Sequence, residues 1–98
     1  LLTYDPDAPV TRQEAAKTLY QMARQLGLNT DAGQDVDLTQ FEDADEIDED
    51  AADAVRWAYA ADLLTEKDGK LRITDELTRK ELSRMLEDFH DLLSQSAG

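Results

Sequence analysis

Two arginines stand at equivalent places in the chain: Arg12 in Thr11-Arg12-Gln13-Glu14 and Arg79 in Thr78-Arg79-Lys80-Glu81. The chemistry open to them is anion capture. A guanidinium meets a carboxylate with a two-pronged fork of N–H donors. One residue past a helix N-cap, it also lies near free backbone N–H groups and the positive helix end, which favour an anion. The simpler reading is an exposed helix-start residue without a ligand. Yet a cation in the first turn opposes the helix dipole, and here it recurs. Trp57, the single tryptophan, could stack on a sugar ring or fill a core. Carboxylates crowd two stretches, Asp31, Asp35 and Asp37, then Asp43, Asp45, Asp48, Asp50 and Asp53. Neither has glycine at the sixth position of an EF-hand loop, so both read as solvated acidic faces and no metal site is expected. His90 stands alone, without the partners a zinc ion needs. With no phosphate-cradling glycine loop and no nucleophile elbow, the residues point to a binding module without a cofactor, not to an enzyme.

Three helices must position these groups. Thr11 is a good N-cap, and Glu14 three residues later completes a capping box. Ala15, Leu19, Met22, Ala23 and Leu26 share one face and Gly27 supplies a stop, which predicts a helix over 12–26. The box repeats at Thr78 and Glu81. Leu82, Met85, Leu86, Phe89, Leu92 and Leu93 then form a stripe over 79–93, followed by a tail, 94–98, expected to fray. Between them the Ala-rich run 51–61 predicts a third helix, with Ala51, Ala54, Val55, Ala58 and Ala61 on one face. Residues 28–40 read as a long acidic linker loop, Asp68-Gly69 as a turn, and Leu71-Arg72-Ile73 as a short extended piece.

Composition limits the partners. The 98 residues carry a net charge of −13. Such a chain is repelled by phosphate backbones and anionic headgroups, so neither nucleic acid nor a membrane surface is expected. There is no cysteine, which excludes disulfides and thiolate metal sites. The start at Leu1-Leu2-Thr3, without Met, reads as an excised segment.

The two capping boxes are related by a shift of 67 residues. Thr11, Arg12, Glu14 and Leu19 fall on Thr78, Arg79, Glu81 and Leu86, and Tyr4, Pro6 and Val10 on Leu71, Ile73 and Leu77. Self-similarity of this order signals repeated supersecondary units. The full order is Phe41-Glu42-Asp43, Trp57-Ala58, Leu63-Leu64, Asp68-Gly69, Leu71, then Thr78-Arg79-Lys80-Glu81. It resembles the repeat of the S-layer homology family, with Tyr4 to Glu14 resembling the closing half of a preceding repeat. The chain would then hold the closing half of one repeat in 1–27, the linker in 28–40 and one complete repeat in 41–93.

The resemblance implies an all-α fold of helical repeats with short extended turns, here part of a pseudo-threefold unit. It also implies a secreted module at the bacterial cell surface, held non-covalently on secondary cell-wall polysaccharide that is often pyruvylated. Arg12 and Arg79 would face the anionic glycan, with Trp57 and Gly69 near a groove. The partners would be that polymer and the remaining repeats or another copy of the chain. The high acidity requires any capture of an acidic polymer to be locally positive. A protein-interaction or self-association domain that has lost glycan binding is the alternative. Where the family carries a glycine after the Trp helix, this sequence has Asp62.

Overall fold

The computed structural model describes residues 10–97, with the side chains of 10–95. Three α-helices, α1 (Arg12–Gln25), α2 (Ala52–Ala60) and α3 (Arg79–Ala97), are joined by four single-turn 3-10 segments and irregular chain. Among the described residues the only β-pairing is two isolated bridges, Thr11 with Glu76 and Lys67 with Lys70. The fold is all-α, as the sequence predicts.

Both capping boxes form. The Glu14 N–H donates to Thr11 Oγ1 at 3.3 Å and the Thr11 N–H to Glu14 Oε1 at 3.3 Å. At the second box the equivalent distances are 3.1 and 3.0 Å. Helix α1 ends where Gly27 turns left-handed at φ +82°, which lets the Leu28 N–H reach back to Ala23 O at 2.9 Å. Helix α2 ends in the same way without a glycine. Asp62 takes φ +63° and the Leu63 N–H reaches Ala58 O at 2.8 Å. Aspartate tolerates this region better than most residues, though less well than glycine.

The core gathers Ala16, Leu19 and Ala23 of α1, Ala54, Val55, Trp57 and Ala58 of α2, and Met85 and Phe89 of α3, over Phe41, Leu64, Leu71 and Ile73. The Trp57 ring lies 5.8 Å from that of Tyr20 and 6.3 Å, edge-on, from that of Phe89. The small residues of α1 and α2 let these helices approach closely, so α2 fills the space beneath α1.

The structure departs from the sequence reading in four places. Helix α3 runs on to Ala97 rather than stopping at 93, because Ser94 to Ala97 contain no helix breaker. Leu26 caps α1 one residue past its last turn and is 61 % exposed, and Leu86 is 47 % exposed. Segment 28–40 is irregular but docked: two 3-10 turns, Asp31–Gly33 and Leu38–Gln40, carry buried Gly33 and Leu38 against the body. A Cβ on Gly33 would stand 2.5 Å from backbone atoms of Arg56 and Trp57, so only glycine lets the loop lie on α2. Tyr4 and Pro6 of the repeat comparison lie outside the described residues.

Candidate functional site where the two caps meet

The extended pieces before the two boxes run against each other. The Arg12 N–H donates to Asp75 O and the Gln13 N–H to Ile73 O, each at 3.0 Å, and the Leu77 N–H to Val10 O at 2.8 Å. This pairing sets the first turn of α1 beside the first turn of α3. The two repeated motifs, distant in sequence, therefore form one constellation.

Arg12 lies at its centre with its side chain only 12 % exposed. Nε donates to Leu71 O at 3.0 Å, Nη1 to Glu81 Oε2 at 3.2 Å and Nη2 to Thr65 O at 3.3 Å. Three of five guanidinium donors are thus held by the chain itself, and two remain. Glu81 divides its oxygens, Oε1 accepting from the Thr78 N–H and Oε2 from Arg12. Hydrogen bonding from Thr78, first from its backbone N–H, and then the Arg12 charge hold the Glu81 carboxyl below the ordinary carboxylate range. Glu14 uses only Oε1 in its own box.

The expected ligand residues are placed very differently. Arg79 is exposed at the start of α3, two residues before Glu81, and among the described residues it makes no ion pair or side-chain hydrogen bond. Its whole fork faces outward. Trp57 is 2 % exposed and cannot offer a ring face to a sugar. The alternative reading as core is correct, because Tyr20 and Phe89 enclose the indole. Gly69 forms the turn between Lys67 and Lys70. Asp68 and Gly69 both have positive φ, +55° and +81°, as a two-residue hairpin turn requires. The Gly69 carbonyl accepts from the Glu42 N–H at 2.9 Å, and the chain passes from this turn to Leu71, which Arg12 contacts. Arg12, the Gly69 turn and the first turn of α3 are therefore neighbours, and Trp57 lies inside.

Two residues supporting this region were missed. Asp43, read as part of a solvated acidic face, is 5 % exposed. Its carboxylate accepts from the Leu71 N–H at 3.0 Å and the Arg72 N–H at 2.7 Å. It fastens the extended piece that supplies Arg12 with the Leu71 carbonyl. The Phe-x-Asp spacing was its signal, since Phe41 beside it is buried too. Gln13 is 7 % exposed and accepts from the Asp48 N–H at 3.1 Å. Its place in the Thr-Arg-x-Glu motif carried no such signal. The charged surface elsewhere is ordinary: Lys17 pairs with Asp50 at 2.9 Å, Arg56 with Asp53 and Arg72 with Asp75 at 2.8 Å.

A shallow depression of about 400 Å³ lies between α1, the docked loop and α2, bordered by Tyr20, Asp31, Gln34 and Arg56. Among the described residues no group of three carboxylate or imidazole side chains is arranged to hold a metal ion. No helix among them is long and apolar enough to cross a membrane.

Comparison with known proteins places the second motif. No curated protein and no solved structure matches the chain. The family model of the S-layer homology domain matches residues 40–83, from just before Phe41 through the second capping box. The chain therefore carries an S-layer homology domain segment at residues 40–83.

Proposed function

We propose that this chain belongs to an anchor that holds a larger protein on the bacterial cell wall, binding an acidic secondary cell-wall polysaccharide through arginine. The match of residues 40–83 to the S-layer homology domain carries the reading, because that domain is a cell-wall and cell-surface anchoring module. The ligand would be a polymer carboxylate such as a pyruvate ketal, and the reading makes the module secreted and non-catalytic.

In this reading the two arginines divide the work. Arg79 is the one whose fork is unengaged among the described residues, so it makes the primary contact. Arg12 holds the two caps together and has two donors left for an anion bound alongside. The Gly69 turn lies on the same side, next to the Leu71 carbonyl. The charge of Arg12 is already met by Glu81, so in a strongly acidic chain Arg79, at the start of α3, is the cation left to draw such a polymer.

The test is co-sedimentation with Gram-positive sacculi that retain the polymer and with sacculi chemically stripped of it. Binding should be lost on stripping and fall about tenfold or more in Arg79→Ala, the effect of removing a charge-assisted hydrogen bond. Arg79→Lys should restore only part of it, because an ammonium lacks the fork. Equal sedimentation with stripped walls, or none with intact walls, would refute the proposal.

A further inference from the structure

Among the described residues, three that carry a Cβ take left-handed backbone: Asp62, Asp68 and Arg72, with φ of +63°, +55° and +57°. Aspartate tolerates this region through its short polar side chain, and arginine does not share that tolerance. The turn accounts for the backbone of residue 72 and not for its side chain. Leu71 and Ile73 are fully buried, with residue 72 exposed between them. The buried Asp43 carboxylate clamps the Leu71 and Arg72 N–H groups at 3.0 and 2.7 Å, and the Arg72 carbonyl accepts from the Asp75 N–H at 3.0 Å. All of these bonds are made by the main chain of the turn, and glycine or asparagine at position 72 would keep them with less strain.

The local ion pair does not account for the arginine either. Arg72 Nε donates to Asp75 Oδ2 at 2.8 Å, and both side chains are nearly half exposed. An exposed pair of this kind contributes little, less than the penalty for a Cβ in the left-handed region. It also engages only Nε. Among the described residues Nη1 and Nη2, which carry four of the five donors, take no acceptor. The turn that carries them is the one that holds Arg12. Arg12 Nε donates to Leu71 O and the Arg12 N–H to Asp75 O, each at 3.0 Å. Hydrogen bonding from Thr78 does most to lower the Glu81 carboxyl, and the charges of Arg12 and then Arg72 add to it. Two guanidiniums therefore stand near the carboxylate where the two caps meet.

We infer that Arg72 is a second polymer-contacting arginine, kept in a strained backbone position because its Nη donors meet a carboxylate of the acidic polymer beside the two donors that Arg12 retains. This role rests on the anchoring function proposed above. Backbone strain of this kind gathers at functional positions. Here the fold and the ligand make opposite demands on one residue: the turn favours glycine, and an anion favours a guanidinium fork. Removing the side chain should therefore move stability and binding in opposite directions, which a merely structural arginine would not do.

Thermal unfolding followed by Trp57 fluorescence and co-sedimentation with polymer-retaining sacculi, run on the same full-chain variants, test this. Arg72→Gly should melt about 2–4 °C higher than the parent and bind the sacculi about tenfold more weakly. Arg72→Asn, which also accepts the left-handed turn, should weaken binding as much with no loss of stability. Arg72→Lys should regain part of the binding. Asp62→Gly should melt higher with binding undiminished. Arg24→Ala removes an exposed arginine roughly 18 Å along α1 from Arg12, beyond the screening length, and should leave binding unchanged. A lower melting point for Arg72→Gly shows an arginine held for the fold and overturns the inference. So does an equal loss of binding in Arg24→Ala. Parent binding that Arg79→Ala abolishes and Arg72→Gly retains overturns this inference alone. A parent chain that ignores intact sacculi overturns the anchoring function and this role with it.

Discussion

Replacing Arg12 by alanine tests whether its guanidinium is a strut between the two caps. The truncation leaves three acceptors without their donors. The Leu71 carbonyl belongs to a residue with no exposed surface, and losing a charged donor there costs about 1.5–2 kcal/mol. Thr65 is exposed, so water replaces most of its bond, leaving about 0.5 kcal/mol. The Glu81 side chain is 40 % exposed, and solvent screening reduces that ion pair to about 0.5 kcal/mol. The sum is about 2.5–3 kcal/mol, a large share of the roughly 5–15 kcal/mol typical of a domain. Urea unfolding followed by Trp57 fluorescence measures it, with an unchanged m-value showing that the same surface unfolds. Arg12→Lys should recover about half, keeping the charge but losing the planar fork that reaches three separate acceptors. Arg79→Ala should change stability by less than about 0.5 kcal/mol, as expected for an exposed side chain. If Arg12→Ala and Arg79→Ala cost the same, the strut is refuted and Arg12 is as free as its counterpart.

Asp43→Ala should destabilise by about 2–4 kcal/mol, because it strands two backbone N–H donors; Asp43→Asn should cost less, and chemical denaturation ranks the two. Gly33→Ala should lose about 1–3 kcal/mol by overpacking, and amide exchange should show protection falling first in residues 31–38. Asp62→Gly should stabilise by about 0.5 kcal/mol, since glycine takes the left-handed conformation without a Cβ penalty, readable as a raised melting temperature. The lowered folded-state pKa of Glu81 gives stability that is fully present above the ordinary value of 4.5 and is lost as pH falls through the lower folded value. Acid titration of Glu81→Gln should therefore show a shallower loss below that pH than the parent chain.

The helices were legible because their starts are written in local chemistry. A threonine followed three residues later by glutamate is nearly self-sufficient as a cap, and Gly27 marks a stop by its backbone freedom alone. The core face of α2 was legible from alanine spacing. The position of Trp57 within it was not, because an indole at the edge of an alanine stripe fits either a core or a sugar platform. Asp43 and Gly33 were illegible for a different reason. Their roles depend on segments far along the chain, Leu71 and Arg72 for one and Arg56 and Trp57 for the other, and no local pattern encodes such a meeting. The same holds for Arg12. Its type and place predicted an anion, and it did receive a carboxylate, but from Glu81 of the same chain. Asp62 shows the opposite case: it stands where the family carries a glycine, and the backbone makes the left-handed turn regardless.

The union of the two caps also imposes an order on the birth of the protein. The three acceptors of Arg12 follow it by 53, 59 and 69 residues. A nascent chain must therefore expose everything from Arg12 to Glu81 before the Arg12 side chain gains all its contacts. Closing a loop of that size is entropically costly and slow compared with forming a local helix. Until Glu81 emerges from the ribosome, α1 has its own capping box and its packing on α2 but lacks the tie to the second cap. Protease resistance in a series of stalled nascent chains should therefore rise a last time as the second cap emerges, after the gain that follows the synthesis of α2.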